Sequence, residues 1–443
     1  MLIVFAVFFI LLMLNVPLAF AVGIGGLVFF YQPGLTDMVA INKIVSMTQT
    51  FSLLAMPFFI LAGNMMNETG ITKRLIHFAL VLTGHFRGGL AHVSCLLSAL
   101  MGGISGSNNA DAAMECRMLG PSMVRRGYAP AFTAAVIGMT SLITPTIPPS
   151  LGMIQFGTVG EVSIGRLFAG GIVPGILLTL AMMITSTLRA KKLGYKPVFE
   201  KRAPKEEIWK AFRESVWALL FPVILIVGIR FGLFTPTEAG AFAVVYAFII
   251  GKFVYKELTM DGLRRVLKNT AIDNGVVMLI VMLSGPFGYA MVYDGLPVRA
   301  AELITGVSAS PLVCLLIIFA FLIVAGMFME ATVNQLLLTP IFLPIVKSLG
   351  FDPVWYGVIQ ATLVCMGGMT PPVGVTMYTC CSMMKCTVED YVKQSLPYLL
   401  AVAIVFALLI AFPQLILFIP NLILESNTLE NIFSPPNVGE KML

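Results

Sequence analysis

Two stretches that lie 223 residues apart break an otherwise apolar chain in the same way. The first runs from Gly102 to Ser150, with Gly-Gly-Ile-Ser-Gly-Ser-Asn-Asn-Ala-Asp at 102–111 and Thr-Pro-Thr-Ile-Pro-Pro-Ser at 144–150. One ungapped offset places Gly103 on Gly326, Pro121 on Pro344, Pro130 on Pro353 and Pro148-Pro149 on Pro371-Pro372. Glycine and proline are the residues that interrupt helices, so matching breaks imply matching backbone geometry in two halves of the chain.

Composition says where such a chain lives. Hydrophobic residues make up 58% of the 443, charged residues 11%, and the mean hydropathy is +0.93. Apolar runs of about 20 residues, enough for one bilayer crossing, recur from end to end. They imply an all-α polytopic membrane protein whose first partner is the lipid bilayer, with no room for a soluble domain. The net charge of +6 then reflects basic inter-span loops rather than a nucleic-acid surface. The seven Cys and three His lack metal or redox spacing. No G-x-x-x-x-G-K-[ST] loop is present, so this chain does not draw its energy from ATP bound to itself. Residues 1–30 lack a basic n-region and read as an uncleaved first span.

Lys and Arg mark cytoplasmic loops. Nine of them between Arg189 and Arg213 place a linker at 191–215 inside, with an amphipathic interfacial helix from Glu206 to Trp217. Lys252, Lys256, Arg264, Arg265 and Lys268 mark a second inner loop. Counting outward from these anchors divides the chain into repeats at 1–190 and 216–420 and a C-terminal tail at 421–443. The same count puts the N-terminus in the cytoplasm and the C-terminus in the periplasm. The segment 88–124 is flanked by Arg87, Arg125 and Arg126 and opens inward, whereas its equivalent 311–347 has few basic flanks and opens outward. One pattern inserted in two orientations is an inverted-topology repeat. Thirty-seven residues less a polar tip are too few for two crossings of about 20 each, so 88–124 and 311–347 read as re-entrant hairpins. The segments 128–158 and 353–384 read as helices broken at bilayer depth, which is tolerated only where the break lines a cavity or is buried in protein. Pro57 and Pro286, 229 apart, sit six residues off the main offset and suggest a loop-length difference.

Broken helices expose N–H groups that suit an anion and carbonyls that suit a cation. Ser105, Ser107 and Asn108 add oxygens of the kind a hard cation prefers, and Asp111 is a carboxylate one helical turn from Ser107. In the second half Glu330 and Asn334 take the Ser107 and Asp111 positions, so acid and neutral oxygen exchange places. A structural reading competes: Ser107 and Asn108 as N-caps of the returning arm, and Asp111 as the partner of Arg117 or Arg125. An intramembrane acid is costly enough to be a functional candidate. Glu115 and Arg117 are the weaker candidates, placed toward the cytoplasmic mouth.

These residues resemble a known family. Met56-Pro-Phe-Phe-Ile-Leu-Ala-Gly63, Ser105-Gly-Ser-Asn-Asn-Ala-Asp111, Gly127-Tyr128, Ile147-Pro-Pro-Ser150, Ser163-Ile-Gly-Arg-Leu-Phe168, Thr339-Pro-Ile-Phe-Leu-Pro344 and Thr370-Pro-Pro-Val-Gly374 are together similar to the large membrane subunit of tripartite ATP-independent periplasmic (TRAP) transporters. The resemblance implies a non-enzymatic elevator-type carrier in the bacterial inner membrane, with a scaffold and a transport domain. It implies sodium as coupling ion, no organic cofactor, a small four-helix membrane subunit and a periplasmic solute-binding protein as partners. The cargo implied is a small organic acid: a dicarboxylate, a sugar acid or a sialic-acid-like anion. Carried over by position, one sodium site lies between Ser105, Ser107, Asn108, Asp111 and the loop holding Pro145 and Ile147. The other lies between Gly326, Glu330, Thr332 and the loop holding Gly367, Thr370 and Pro371. The substrate falls to Ser107, Asn108, Pro149, Ser150, Thr332 and Pro372. The chain departs from the family at Asn108-Asn109, where smaller residues are usual, and at Glu330, where Asp is. It departs again in the more polar return arm Met114-Glu-Cys-Arg-Met-Leu119. Two rival readings remain: an ion channel, or a proton-translocating complex subunit using Asp111 and Glu330. Neither tip carries an Arg that would name an anion geometry.

Overall fold

The computed structural model describes residues 1–14, 16–31, 35–230 and 233–422, without the side chains of 103–105 and 230. Among the described residues there is no strand. The first half holds α1 (Leu2–Met13), α2 (Leu18–Val28), α3 (Asp37–Gln49), α4 (Ala55–Glu68), α5 (Ile71–Thr83), α6 (Gly89–Ser105), α7 (Asn108–Met118), α8 (Gly120–Arg125), α9 (Pro130–Thr140), α10 (Leu151–Val159) and α11 (Ile164–Leu193). The second holds α12 (Lys205–Arg230), α13 (Pro236–Ile249), α14 (Met260–Tyr293), α15 (Leu296–Val307), α16 (Pro311–Phe328), α17 (Ala331–Ser348), α18 (Pro353–Gly367), α19 (Val375–Met384) and α20 (Val388–Ala411). A last helical stretch follows at 414–422, and the rest of the expected C-terminal tail lies outside the described residues. Six helices are long and apolar enough to cross a membrane, or seven if the bent pair α3–α4 is one span.

Three helices of the first half have counterparts at one offset in the second because their punctuation repeats. α3 and α14, α7 and α17, and α9 and α18 each start 223 residues apart. Pro130 and Pro353 open α9 and α18 in the first turn, where a missing N–H leaves nothing unpaired. Gly127 and Gly350, just before them, both take the left-handed backbone at φ +86° and +84°, which only glycine adopts without strain. The 229-residue spacing of Pro57 and Pro286 is not a loop-length difference, because the flanking elements keep the 223 offset. Instead, α3 and α4 bend by 55° where α14 continues unbroken from Met260 to Tyr293.

Packing divides the helices into two groups. α2, α3 and α4 lie against α14, α13 lies against α4, and α12 against α5, forming an outer frame. Inside it, parts of the two halves interleave: α19 packs on α7 and α9, α10 on α17 and α18, and α20 on α9 and α11. The frame's charged pairs gather the predicted inner loops at one end, with Arg74 2.7 Å from Glu257 and Arg265 paired with Glu68. Tyr195, from the basic linker, stacks on Tyr128 at 4.3 Å and accepts a hydrogen bond from the Ala129 amide.

Two expectations are corrected. The interfacial helix at Glu206–Trp217 is not a separate element, because α12 runs from Lys205 to Arg230 as one helix with Pro222 inside it. Its aromatic face continues into the frame, Trp209 stacking on Phe212 and Phe212 meeting Phe78 of α5. The predicted cytoplasmic N-terminus also conflicts with the geometry. The Met1 amino group lies 3.8 Å from Asp294, at the end of α14 that the charge pattern assigns to the outer face. Phe29, past the end of α2, meets Tyr293 at that same end. α1 and α2 have 12 and 11 residues, each short of the roughly 20 of a crossing, so the pair enters and leaves on one face where the count assumed one full span.

Candidate functional site

The site grows out of two turns and two breaks. In the first half α6 ends at Ser105, Gly106 and Ser107 turn the chain, and α7 returns. Gly106 lies against the first break: a methyl there would sit 3.0 Å from the Pro149 carbonyl oxygen. Gly102 faces Ile147 and the Thr144 carbonyl in the same manner. In the second half Gly326 and Gly367 bring two backbones together. A methyl on Gly326 would lie 2.4 Å from the Val364 carbonyl oxygen, and one on Gly367 2.5 Å from the Gly326 carbonyl carbon. Each tip is therefore seated on its own half's break. The dipeptides Pro148-Pro149 and Pro371-Pro372 in those breaks are both cis.

Between the halves, Asn108 donates from Nδ2 to Thr376 Oγ1 at 3.2 Å, tying the first tip to α19. Thr146, in the first break, meets Thr362 of α18 at 3.2 Å. A small cavity of about 20 Å³, room for one water-sized group, lies where the tips converge, lined by Asn108, Asn109, Gly326, Glu330, Gly368 and Thr376 among others. Of the predicted residues, Asn108 of the first tip and Gly326 and Glu330 of the second line it, whereas Ser107, Asp111 and Thr332 do not. Ser105's side chain lies outside the described residues.

The side chains differ in how much of their bonding capacity is spent. Ser107 occupies the N-cap of α7 but makes no capping hydrogen bond with its hydroxyl, so capping does not explain it. Asp111 Oδ2 accepts from Thr144 Oγ1 at 2.6 Å, while Oδ1 is buried with no partner. Asp111 makes no ion pair among the described residues, and Arg117 and Arg125 are exposed, so the expected structural bridge is not formed. At the position equivalent to Asp111, Asn334 donates to the Met329 carbonyl at 3.0 Å and likewise leaves a buried Oδ1 without a partner. Glu330 does behave as a cap: it starts α17 and accepts from the Thr332 amide at 2.9 Å. Ser150 also caps, accepting from the Met153 amide at 3.4 Å. Thr370 donates to the Gly367 carbonyl at 2.9 Å. Pro145 and Pro149 are buried and Ile147 half-buried, whereas Pro371 and Pro372 are exposed.

The sequence reading placed Glu115 at the cytoplasmic mouth; it is instead wholly buried. Its carboxylate meets the hydroxyls of Ser94 and, at 3.0 Å, Ser98. Thr140, Thr144 and Thr376 were missed as well. A signal existed: Ser94/Ser98, Asp111/Glu115 and Thr140/Thr144 are three pairs at i, i+4, the spacing that puts both members on one helix face.

Residues 5–415 match the family described as the tripartite ATP-independent periplasmic transporter, DctM component. The chain is 37% identical over 415 residues to the sialic acid TRAP transporter large permease protein SiaM of Vibrio cholerae, across 94% of this chain and 97% of that one. It is 33% identical over 438 residues to the C4-dicarboxylate TRAP transporter large permease protein DctM of Rhodobacter capsulatus, across 95% and 99% of the two chains. The solved structure of the Alcanivorax borkumensis YdaH transporter superposes with a TM-score of 0.61 over 86% of this chain and 90% of that one, at 13% identity, a likeness of fold alone. A multi-pass helical membrane protein that matches this family over nearly its whole length belongs to the large permease subunits of TRAP transporters and is a transport component rather than an enzyme.

Proposed function

We propose that this chain carries a small organic acid into the cell by sodium-coupled secondary transport. The observation that carries the reading is the pair of buried oxygens, Asp111 Oδ1 and Asn334 Oδ1, left without partners at equivalent positions of the two halves. A buried polar atom without a partner costs about 1–3 kcal/mol, so such atoms persist where a ligand completes them. Their chemistry, with the uncommitted Ser107 hydroxyl and the carbonyls of the breaks, suits a hard monovalent cation. Sodium would be held by Ser107, Asp111 and the carbonyl-rich 145–149 loop in one half. In the other, Asn334, Glu330 and the 367–371 loop would hold it. The acid would bind between the two tips once they part, with Asn108, Thr332 and Thr376 as polar contacts.

The relatives' cargoes, sialic acid for one and C4-dicarboxylates for the other, support an organic acid. In this reading the helix pairs α6–α8 and α16–α17 are re-entrant hairpins of opposite orientation, and the interleaved inner helices move as an elevator against the outer frame. A periplasmic binding protein delivers the solute, a small four-helix subunit completes the frame, and the assembly sits in the bacterial inner membrane. The outer face carries Met1 with Asp294, and Asn421 with Arg166.

Proteoliposomes holding this chain, the small subunit and the binding protein test the reading. Labelled sialic acid, 2,3-diketogulonate and succinate are offered in turn. Accumulation of one of them only under an inward sodium gradient is expected. Uptake of that acid indifferent to sodium would remove the coupling, and single-channel currents without the binding protein would favour the channel reading.

A further inference from the structure

A second cavity lies at the seam between the outer frame and the inner helices. It holds about 520 Å³, within the roughly 300–1,000 Å³ of small-molecule sites, with α3 and α14 on one side and α10 and α17 on the other. It runs along α14 between Ser284 and Val292, toward the end of that helix that the charge pattern assigns to the outer face.

Two charged residues line it, one from each group of helices. Lys43 on α3 is half-buried, and its ammonium lies 4.9 Å from the centre of the Tyr289 ring. Among the described residues that ammonium makes no ion pair, so its charge is left to the cavity. Its backbone is firmly placed: a methyl on Gly285 of α14 would lie 2.5 Å from the Lys43 carbonyl oxygen. Glu161, just past α10, makes no ion pair either. It sits in the left-handed backbone at φ +52°, in a turn closed by the Val162 amide donating to the Gly157 carbonyl at 2.9 Å. Glycine is the usual residue at such a helix end, so a carboxylate is held at this wall against backbone strain.

The neutral groups add acceptors. The hydroxyls of Ser46, Thr50, Thr158 and Ser284 line the cavity, and each donates to a backbone carbonyl at 2.7 to 3.3 Å. A hydroxyl has one hydrogen, so only their lone pairs remain for a guest. The lining therefore suits one anionic group, at Lys43, beside several hydroxyls that donate to these oxygens and to Glu161. A second carboxylate would face Glu161 and lone pairs, and like charges set opposite each other repel.

We propose that this cavity is an anion-binding vestibule on the outer side, in which Lys43 takes the carboxylate of a polyhydroxylated monocarboxylate, a sugar acid rather than a dicarboxylate. This rests on the organic-acid reading above and narrows its cargo. The guest touches frame and inner helices together, which places it on the way to the tips.

Gly288 supplies the probe, because a methyl there meets nothing within 4 Å and the residue lines the cavity. In the purified full-length chain with Cys386 replaced by Ser, Gly288→Cys is labelled with a water-soluble thiol reagent in sodium-free buffer. Saturating D-gluconate is expected to slow labelling at least about threefold, and succinate and glucose to leave it unchanged. Lys43→Gln should abolish the protection and Lys43→Arg retain it. A cysteine that does not label, labelling that gluconate does not slow, protection that survives Lys43→Gln, or equal protection by succinate overturns the proposal. Should Lys43→Gln fail to fold, Glu161→Gln decides: succinate must begin to protect, and continued indifference to it overturns the proposal. Gluconate protection alongside sodium-indifferent uptake leaves the vestibule standing and removes the coupling; sodium-driven uptake of an acid without gluconate protection does the reverse.

Discussion

The two tips share a backbone frame and divide the chemistry between them. In the first half the acid, Asp111, lies inside the helix face, sealed behind a buried break and served by Thr144. In the second the acid, Glu330, is half-buried at the helix start, spent on the Thr332 amide, and the crest of the break at Pro371–Val373 is exposed. Symmetry of glycine and proline therefore fixes where oxygens converge, and the exchange of acid and amide decides which half keeps a charge. The seating differs as well. Both tips rest backbone on backbone, the second more closely: a methyl on Gly326 would lie 2.4 Å from a carbonyl oxygen, one on Gly106 3.0 Å from one.

That contrast breaks most visibly at the glycines. Gly326→Ala forces a methyl into the Val364 carbonyl and is expected to cost at least about 3 kcal/mol by thermal unfolding in detergent. Gly102→Ala meets the Ile147 Cβ at 2.8 Å and the Thr144 carbonyl oxygen at 3.1 Å, a looser approach than at Gly326, and should cost less, about 2 kcal/mol, with Gly275→Ala, which faces open space, as the control. Equal losses at Gly326 and Gly102 would mean that the halves are seated alike. The acids come next. Asp111→Asn should weaken the apparent sodium affinity of uptake roughly a hundredfold, about 3 kcal/mol, as a buried charged partner is lost. Glu330→Gln, removing a carboxylate already used as a cap, should weaken it by less than about tenfold. The reverse order would place the coupling charge in the second half.

Access sharpens the comparison further. With Cys386 replaced by Ser, a membrane-impermeant maleimide should label Val373→Cys and spare Thr146→Cys, because the residues they replace are 42% and 0% exposed. Labelling of both would show that the first break is not sealed. The smallest effect is at the seam between halves. Asn108→Ala and Thr376→Ala, combined in a double-mutant cycle on thermal stability, should couple by about 1 kcal/mol through their hydrogen bond. Additivity would deny that the first tip is held by the second half.

Much of this was readable in advance, and for a definite reason. Pro130, Pro353, Gly127 and Gly350 act through their own φ angles or missing N–H groups, so their consequences need no partner. Asp111 stood out because a carboxylate inside a membrane helix is costly wherever it sits. Glu115 was misplaced because its burial depends on Ser94 and Ser98, 21 and 17 residues away on another helix. The N-terminal orientation failed because charge counting does not see that α1 and α2 return to one face; the contact between Met1 and Asp294 does. The interfacial helix failed for a related reason, since amphipathicity marks an apolar face without saying whether lipid or α5 covers it.

By itself the sequence determined a membrane-embedded, helical chain of two like halves, each with a turn and a break at set positions, because hydropathy, glycine and proline act locally. The tertiary structure decided which oxygens are spent and which are left over. Thr144 meets Asp111 across 33 residues of the first half and Asn108 meets Thr376 across 268, between the halves, and such pairings exist only once distant helices have packed together.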